Sequence, residues 1–239
     1  MQVSTRALVF SALKYAEADL IVTCFTEDYG LKTYMLRGIL KSKKGKLRTS
    51  LFQPLTLLQL EAFHKDKGTL ERISEAKVLQ TYQSLHTEVV KSSIVLFLAE
   101  MLKNSIQEEE ANSELFAYVT SALQWLDLHD TVANFHLLFL LKLTTYLGFY
   151  PDTSNAHFPY FNLMEGNFQM QSIGEYCRAG EAVETFKGFF GINFDALLVK
   201  KTTKNQRFEA LNLLLLYYQL HLQGYKKPRS LLVLNQLFN

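Results

Sequence analysis

Cysteine is nearly missing from this 239-residue chain. The only two, Cys24 and Cys177, stand far apart in sequence, so neither a disulfide framework nor a four-cysteine metal site is available. A chain that uses no disulfides suits a reducing compartment, and a cytoplasmic location is expected. Long apolar runs are missing too. The two most apolar segments, residues 135–147 and 211–222, are shorter than the ~20 residues a bilayer span requires, and the first carries Lys142. They read as buried core helices, and no membrane association is expected. The apolar stretch after Arg6 is broken by Lys14, Glu17 and Asp19, unlike a secretory signal peptide, so export is not expected. There is no internal repeat and no low-complexity stretch.

Catalytic signatures are equally scarce. His64, His86, His129, His136, His157 and His221 are scattered, without the spacing that brings imidazoles onto one metal ion. In Glu108-Glu109-Glu110 adjacent carboxylates on a helix end point in different directions and stay in water. No glycine-rich phosphate loop, serine nucleophile motif or HExxH occurs, and Cys177 has no activating partner in sight. These absences exclude the common enzyme classes; no catalytic residue, metal or cofactor is expected.

What the chain does have is enough apolar material for a real core, 48% hydrophobic against 20% charged side chains, and an uneven distribution of charge. The net charge is only +2, yet residues 1–50 hold nine Lys/Arg and four Asp/Glu, net +5. Residues 81–220 hold nine and fifteen, net −6, and the last nineteen residues add Lys226, Lys227 and Arg229. An acidic middle conceals basic ends.

The hydrophobic period divides the chain in the same way. Up to about residue 78 it is two, as in Ala7-Val9, Leu20-Val22-Cys24 and Leu55-Leu57, which predicts five strands near residues 5–14, 19–26, 31–39, 55–63 and 69–78. Five short strands suit a small closed barrel of the OB type, which removes edge strands and binds oligonucleotides; an SH3-like barrel fits almost as well. From Thr81 the period turns helical, with Val90, Ile94, Phe97, Leu98 and Met101 on one stripe. Further helices are predicted over 113–128, 132–147, 182–186, 194–200 and 206–223, and a small hairpin over 160–163 and 168–171. The expected fold is α+β and multidomain: an OB-type barrel over 1–80, then a helical domain over 81–239 with an irregular insertion at about 151–172.

Residues 37–48 carry six cations, no acids and two glycines, in a loop that leaves one strand and returns to the next. Positive charge without acidic partners gains little from folding, whereas a polyanion releases counterions from each phosphate those side chains neutralise. Arg37, Lys41, Lys43, Lys44, Lys46 and Arg48 are therefore the candidate nucleic-acid contacts, against the plainer reading of a solvated loop. Tyr29 and Tyr34 are candidates to stack bases, although aromatics on barrel strands more often belong to the core.

Several segments resemble one known family when taken in order: Tyr15-Ala16-Glu17-Ala18-Asp19-Leu20-Ile21-Val22, Thr26-Glu27-Asp28-Tyr29-Gly30, the Arg37-Gly38 step, Phe52-Gln53-Pro54-Leu55, Phe97-Leu98-Ala99-Glu100-Met101-Leu102, Leu147-Gly148-Phe149-Tyr150-Pro151-Asp152, and Tyr217-Tyr218-Gln219-Leu220-His221-Leu222 with Arg229-Ser230. The set covers nearly the whole chain and is similar to the bacterial recombination mediator RecO. The resemblance implies an N-terminal OB fold, a helical C-terminal domain, and a DNA-repair role without covalent chemistry. It also implies binding to single- and double-stranded DNA, strand annealing, and cooperation with RecR so that RecA displaces single-strand-binding protein. The basic loop takes on that family's DNA-binding role. The acidic helical domain would repel DNA, so a site there for the acidic tail of single-strand-binding protein needs local cations; Lys200, Lys201, Lys204 and Arg207 are the candidates, against a solvated face. Many members of the family carry a four-cysteine zinc site after the Leu-Gly-x-x-Pro segment. Here residues 152–171 contain no cysteine, so no structural zinc is expected, and Phe158, Tyr160, Phe161 and Phe168 are expected to hold the insertion by packing. A different class stays open on barrel and charge alone: an OB-containing RNA-binding or assembly protein whose helical domain is the main interaction surface.

Overall fold

The computed structural model describes residues 1–42, 47–65, 70–106 and 110–238. These divide into two compact units, Met1–Asp127 and Leu128–Asn239. Among the described residues no helix is long and apolar enough to cross a membrane.

In the first unit, strand β1 (Gln2–Tyr15) is the centre of a five-stranded antiparallel sheet with β2 (Asp19–Thr26), β3 (Gly30–Leu36), β4 (Leu57–Phe63) and β5 (Arg72–Val78) in the order β3-β2-β1-β4-β5. Its first half pairs with β4, from Gln2 opposite Phe63 to Leu8 opposite Leu57, and the rest with β2, from Ala7 opposite Thr26 to Tyr15 opposite Asp19. A bulge between Val9 and Ser11 bends the strand between these two tasks. Side chains at alternate positions share one face. Val3, Ala7 and Val9 therefore join Leu20, Val22, Cys24, Tyr34, Leu58, Leu60 and Ile73 in one buried cluster. Leu8 and Phe10 are buried as well, because the opposite face is covered in its turn. Phe10 stacks on Phe25 at 5.7 Å, and Phe25 meets Phe116 of a helix at 5.8 Å.

Edges β3 and β5 meet through one parallel bridge, Tyr34 with Glu71. The Met35 N–H donates to the Glu71 carbonyl at 2.9 Å and the Glu71 N–H to the Thr33 carbonyl at 2.8 Å. Among the described residues no longer ladder closes the sheet. The expected closed barrel is thus corrected to a rolled OB-type sheet with a single stitch, and a groove opens beside it.

Helix α1 (Val89–Ser105) begins later than the helical period at Thr81 suggests. The intervening residues form a turn held by Asp127, whose carboxylate accepts from the N–H groups of Gln83, Ser84 and Leu85 at 2.9, 2.8 and 3.2 Å. Burial alone would raise the pKa of this carboxyl, but the hydrogen bonds together outweigh it and hold the group below its usual value. Asp127 lies near the end of α2 (Ser113–Leu128). Lys103 of α1 donates to the Ser11 hydroxyl at 2.9 Å, tying helix to sheet.

The second unit is built on α3 (Phe135–Tyr146), buried on nearly every side, and α5 (Lys204–His221), which packs on α3 and on α4 (Glu181–Lys187). A capping box starts α5: the Thr203 hydroxyl accepts from the Gln206 N–H at 3.2 Å, and the Gln206 side chain accepts from the Thr203 N–H at 2.8 Å. The insertion is a three-stranded sheet, β6 (Tyr160–Asn162), β7 (Asn167–Gln169) and β8 (Cys177–Arg178), in the order β7-β6-β8. Phe161 is its anchor, with ring centroids at 4.8 Å from Phe168, 5.4 Å from Phe186 and 5.6 Å from Tyr217. The hairpin turn needs a glycine twice over: Gly166 has φ +66, and a Cβ there would lie 2.6 Å from the Tyr217 hydroxyl. A short 3-10 turn, Asp195–Leu198, stands where a helix over 194–200 is predicted, and α6 (Leu231–Phe238) ends the chain.

Candidate nucleic-acid interface

The basic segment leaves β3 at Arg37, and its first turn is fixed by the β1–β2 turn. The Gly38 N–H donates to the Asp19 carboxylate at 2.7 Å, and the Leu40 N–H donates to the Ala18 carbonyl at 2.9 Å. The Gly38 carbonyl accepts in turn from Lys41 and Ser42 at 3.2 and 3.1 Å. Gly38 has φ +68 with open space where a Cβ would sit, so conformation and not crowding favours glycine there. Ile39 and, further along, Phe52 return to the barrel core.

Arg37, Lys41 and Arg48 are exposed. Lys43, Lys44 and Lys46 lie outside the described residues. One expectation is corrected here: the segment is not wholly without acidic partners, because Lys41 pairs with Glu17 at 3.0 Å. Both side chains are largely in water, so this pair contributes little.

Beside the segment lies a groove of about 700 Å³ along the β3–β5 stitch. Its rim includes Arg37, Lys65 and Arg72, and its apolar floor includes Met35, Ile39 and Ile73. Among the described residues Arg37, Arg48 and Arg72 have no carboxylate partner. Arg6, on the same unit, is different. It forms a two-pronged ion pair with Glu27 and lies 5.5 Å from the Phe116 ring centroid, so its charge is already used.

Sequence reasoning missed Lys65 and Arg72, which are 28 and more residues from Arg37 and join it only through the stitch. Of the two tyrosines, Tyr34 offers no stacking platform and Tyr29 is half-buried against the core. Tyr34 is fully buried and its hydroxyl lies 2.9 Å from His64 Nε2. The Tyr29 ring stands perpendicular to that of His64, with centroids 5.0 Å apart. The described part of the segment and groove thus offers cations rather than open aromatic rings.

In the second unit the four candidate cations do not form one outward patch. Lys200 donates to the Gly188 carbonyl at 2.7 Å and lies 4.6 Å from the Phe189 ring centroid, and burial lowers its pKa. Arg207 donates to the Thr202 carbonyl at 2.8 Å and, with Lys204, lines a small niche beside His136 and Leu234. Lys201 faces solvent. His136 is pushed down to about 3, first by burial and then by the charge of Arg207.

The insertion does not fit a zinc ion. Cys177 is its one cysteine, and its thiol donates to the Ile173 carbonyl at 2.7 Å. Among the described residues no three His, Cys, Asp or Glu side chains gather as metal ligands.

Comparison with known proteins agrees with this architecture. The family described as "Recombination protein O N terminal" matches residues 1–82, and "Recombination protein O C terminal" matches residues 86–230. The DNA repair protein RecO of Christiangramia forsetii is 52% identical over 238 residues, covering 100% of both chains. That of Flavobacterium psychrophilum is 45% identical over 243 residues, again covering 100% of both, and that of Bacteroides fragilis is 34% identical over 240 residues, covering 98% of each. The rolled sheet, the helical unit and these matches over the full length together show that the chain belongs to the RecO family of DNA repair proteins.

Proposed function

We propose that this chain is a recombination mediator that holds DNA strands by their phosphates, lets complementary strands anneal, and performs no covalent chemistry. In this reading residues 1–80 bind single- and double-stranded DNA through Arg37, Lys41, Lys43, Lys44, Lys46 and Arg48. Residues 81–239 serve protein partners: RecR, single-strand-binding protein and, indirectly, RecA. The observation that carries the reading is that Arg37, which opens a run of six cations over residues 37–48, lines one groove together with Lys65 and Arg72. Phosphate contacts of this kind are indifferent to sequence, which suits a protein that must accept any pair of complementary strands. Annealing requires the repulsion between two backbones to be screened, and the cations of the basic segment provide that screening, Lys41 exchanging Glu17 for a phosphate.

The test is a strand-annealing assay on bare DNA and on DNA coated with single-strand-binding protein. Acceleration on both substrates is expected. An unaccelerated rate on bare DNA at low salt, with tight RNA binding in a parallel titration, would replace this reading with that of an RNA-binding module.

A further inference from the structure

Two segments singled out in the sequence, the one ending Glu17-Ala18-Asp19 and the Arg37-Gly38 step, are joined in the structure by hydrogen bonds. The Asp19 carboxylate accepts the Gly38 N–H at 2.7 Å, Ala18 accepts the Leu40 N–H at 2.9 Å, and Glu17 meets Lys41 at 3.0 Å. Asp19 and Ala18 thus hold the backbone of the first turn of the basic segment, while the exposed Glu17–Lys41 pair adds little. Gly38 takes its positive φ at this junction. We infer that Asp19 is a positioning residue for DNA binding: it fixes the root of the basic segment so that Arg37 and Lys41 meet a phosphate backbone already aimed, although it carries the charge that a phosphate repels.

The sign of its effect distinguishes this role from simple electrostatics. Asp19 is an acid beside a binding site for a polyanion. If charge were all that mattered, removing it would tighten binding a few-fold, whichever residue replaced it. If Asp19 positions the segment, the outcome depends on what replaces it. In Asp19→Ala the acceptor is lost, the root gains freedom that DNA binding must then remove, and the ordering cost of about one residue weakens binding roughly tenfold. In Asp19→Asn the amide oxygen still accepts the Gly38 N–H, so affinity is kept or slightly improved. The salt slope provides a second mark. Every cation remains in Asp19→Ala, so log affinity against log salt shifts downward in parallel without changing slope.

The inference rests on the proposal that the basic segment binds DNA, and one control separates the two. Neutralising Lys41, Lys43, Lys44 and Lys46 together should flatten the slope; if it does not, the segment is not the DNA site and the proposed function fails. The decisive measurement is the affinity of the full chain for a fluorescent single-stranded oligonucleotide over a salt series, with thermal melts to confirm folding. Gly38→Ala accompanies it, disturbing the same junction through φ without altering charge, and it alone decides if Asp19→Ala does not fold. Weaker binding in Asp19→Ala and Gly38→Ala at unchanged slope, with wild-type or tighter binding in Asp19→Asn, supports the inference. Wild-type or tighter binding in a folded Asp19→Ala overturns it, as does wild-type binding in Gly38→Ala.

Discussion

Neutralising the basic segment should change how DNA binding responds to salt far more than it changes the fold. Residues 37–48 hold six cations, of which Lys41 is shared with Glu17 across 3.0 Å. If about four of them meet phosphates of a single strand, the slope of log affinity against log salt is about −3, at roughly 0.7 per contact. Raising salt from about 50 to about 200 mM then weakens binding about 50-fold. The variant with Lys41, Lys43, Lys44 and Lys46 changed to alanine keeps at most Arg37 and Arg48 of this set, so its slope falls to about −1.4 and the same change costs about sevenfold. Stability should move by no more than ~0.5 kcal/mol, because the Lys41–Glu17 pair is exposed and substitutions of this kind are cheap. Fluorescence anisotropy across the salt series, paired with urea unfolding, measures both quantities. A folded variant that binds with the wild-type slope refutes the reasoning, and the groove cations Lys65 and Arg72 would then have to be tested alone.

Four further outcomes are expected. His136 is held neutral in the folded chain, at about 3, whereas an unfolded histidine titrates near ~6.5. The unfolded chain therefore takes up a proton that the folded one refuses. The stabilisation is complete above about pH 6.5 and is lost as pH falls toward 3, at up to about 1.4 kcal/mol per unit. Urea midpoints between pH 7 and 4 should fall less steeply in His136→Gln, and parallel curves would assign the loss to other groups. Phe161→Ala should cost about 3–5 kcal/mol, visible as a large drop in melting temperature; a loss under about 1 kcal/mol would mean that the insertion does not depend on this ring. Purified, untagged protein should contain far less than one zinc per chain, and stoichiometric zinc surviving chelation would contradict the reading of Cys177. Glu17→Gln should tighten DNA binding about twofold by releasing Lys41, and weaker binding would show that the pair helps aim the lysine.

The elements that were legible in the sequence are those whose period and boundaries agree. Strand β2 and helix α2 have the predicted limits, 19–26 and 113–128, because Asp19 follows a turn and Ser113 starts an apolar stripe. Where limits differ, a backbone conformation decides. Strand β3 stops at Leu36 instead of 39 because Gly38 turns with φ +68, and β4 starts at Leu57 instead of 55 because Leu55 has φ 56. Strand β8 is two residues long, too short to leave a period, and α6 follows Pro228 for only eight residues, too few for its buried pair Leu231 and Leu234 to stand out among its other apolar residues. The charge of the candidate site could be read directly, since six cations without an acid need no geometry. Its frame could not. The hydrogen bond from Gly38 to Asp19 spans nineteen residues, and the placing of Arg72 near Arg37 depends on a bridge between the sheet's two edges.

Ile39 and Phe52 are both seated in the barrel core, and the bridge between Tyr34 and Glu71 lies outside the chain that joins them. Within that stretch the Leu40 N–H is held by the Ala18 carbonyl, and Leu47 and Leu51 pack against the core, so the scaffold fixes both ends of the basic segment. Lengthening a connection between fixed ends is cheap, since doubling it costs only about 0.6 kcal/mol of closure entropy. If the segment binds DNA as proposed, adding or removing basic residues between those fixed ends would change its grip on phosphates and its response to salt, with no compensating change in the scaffold.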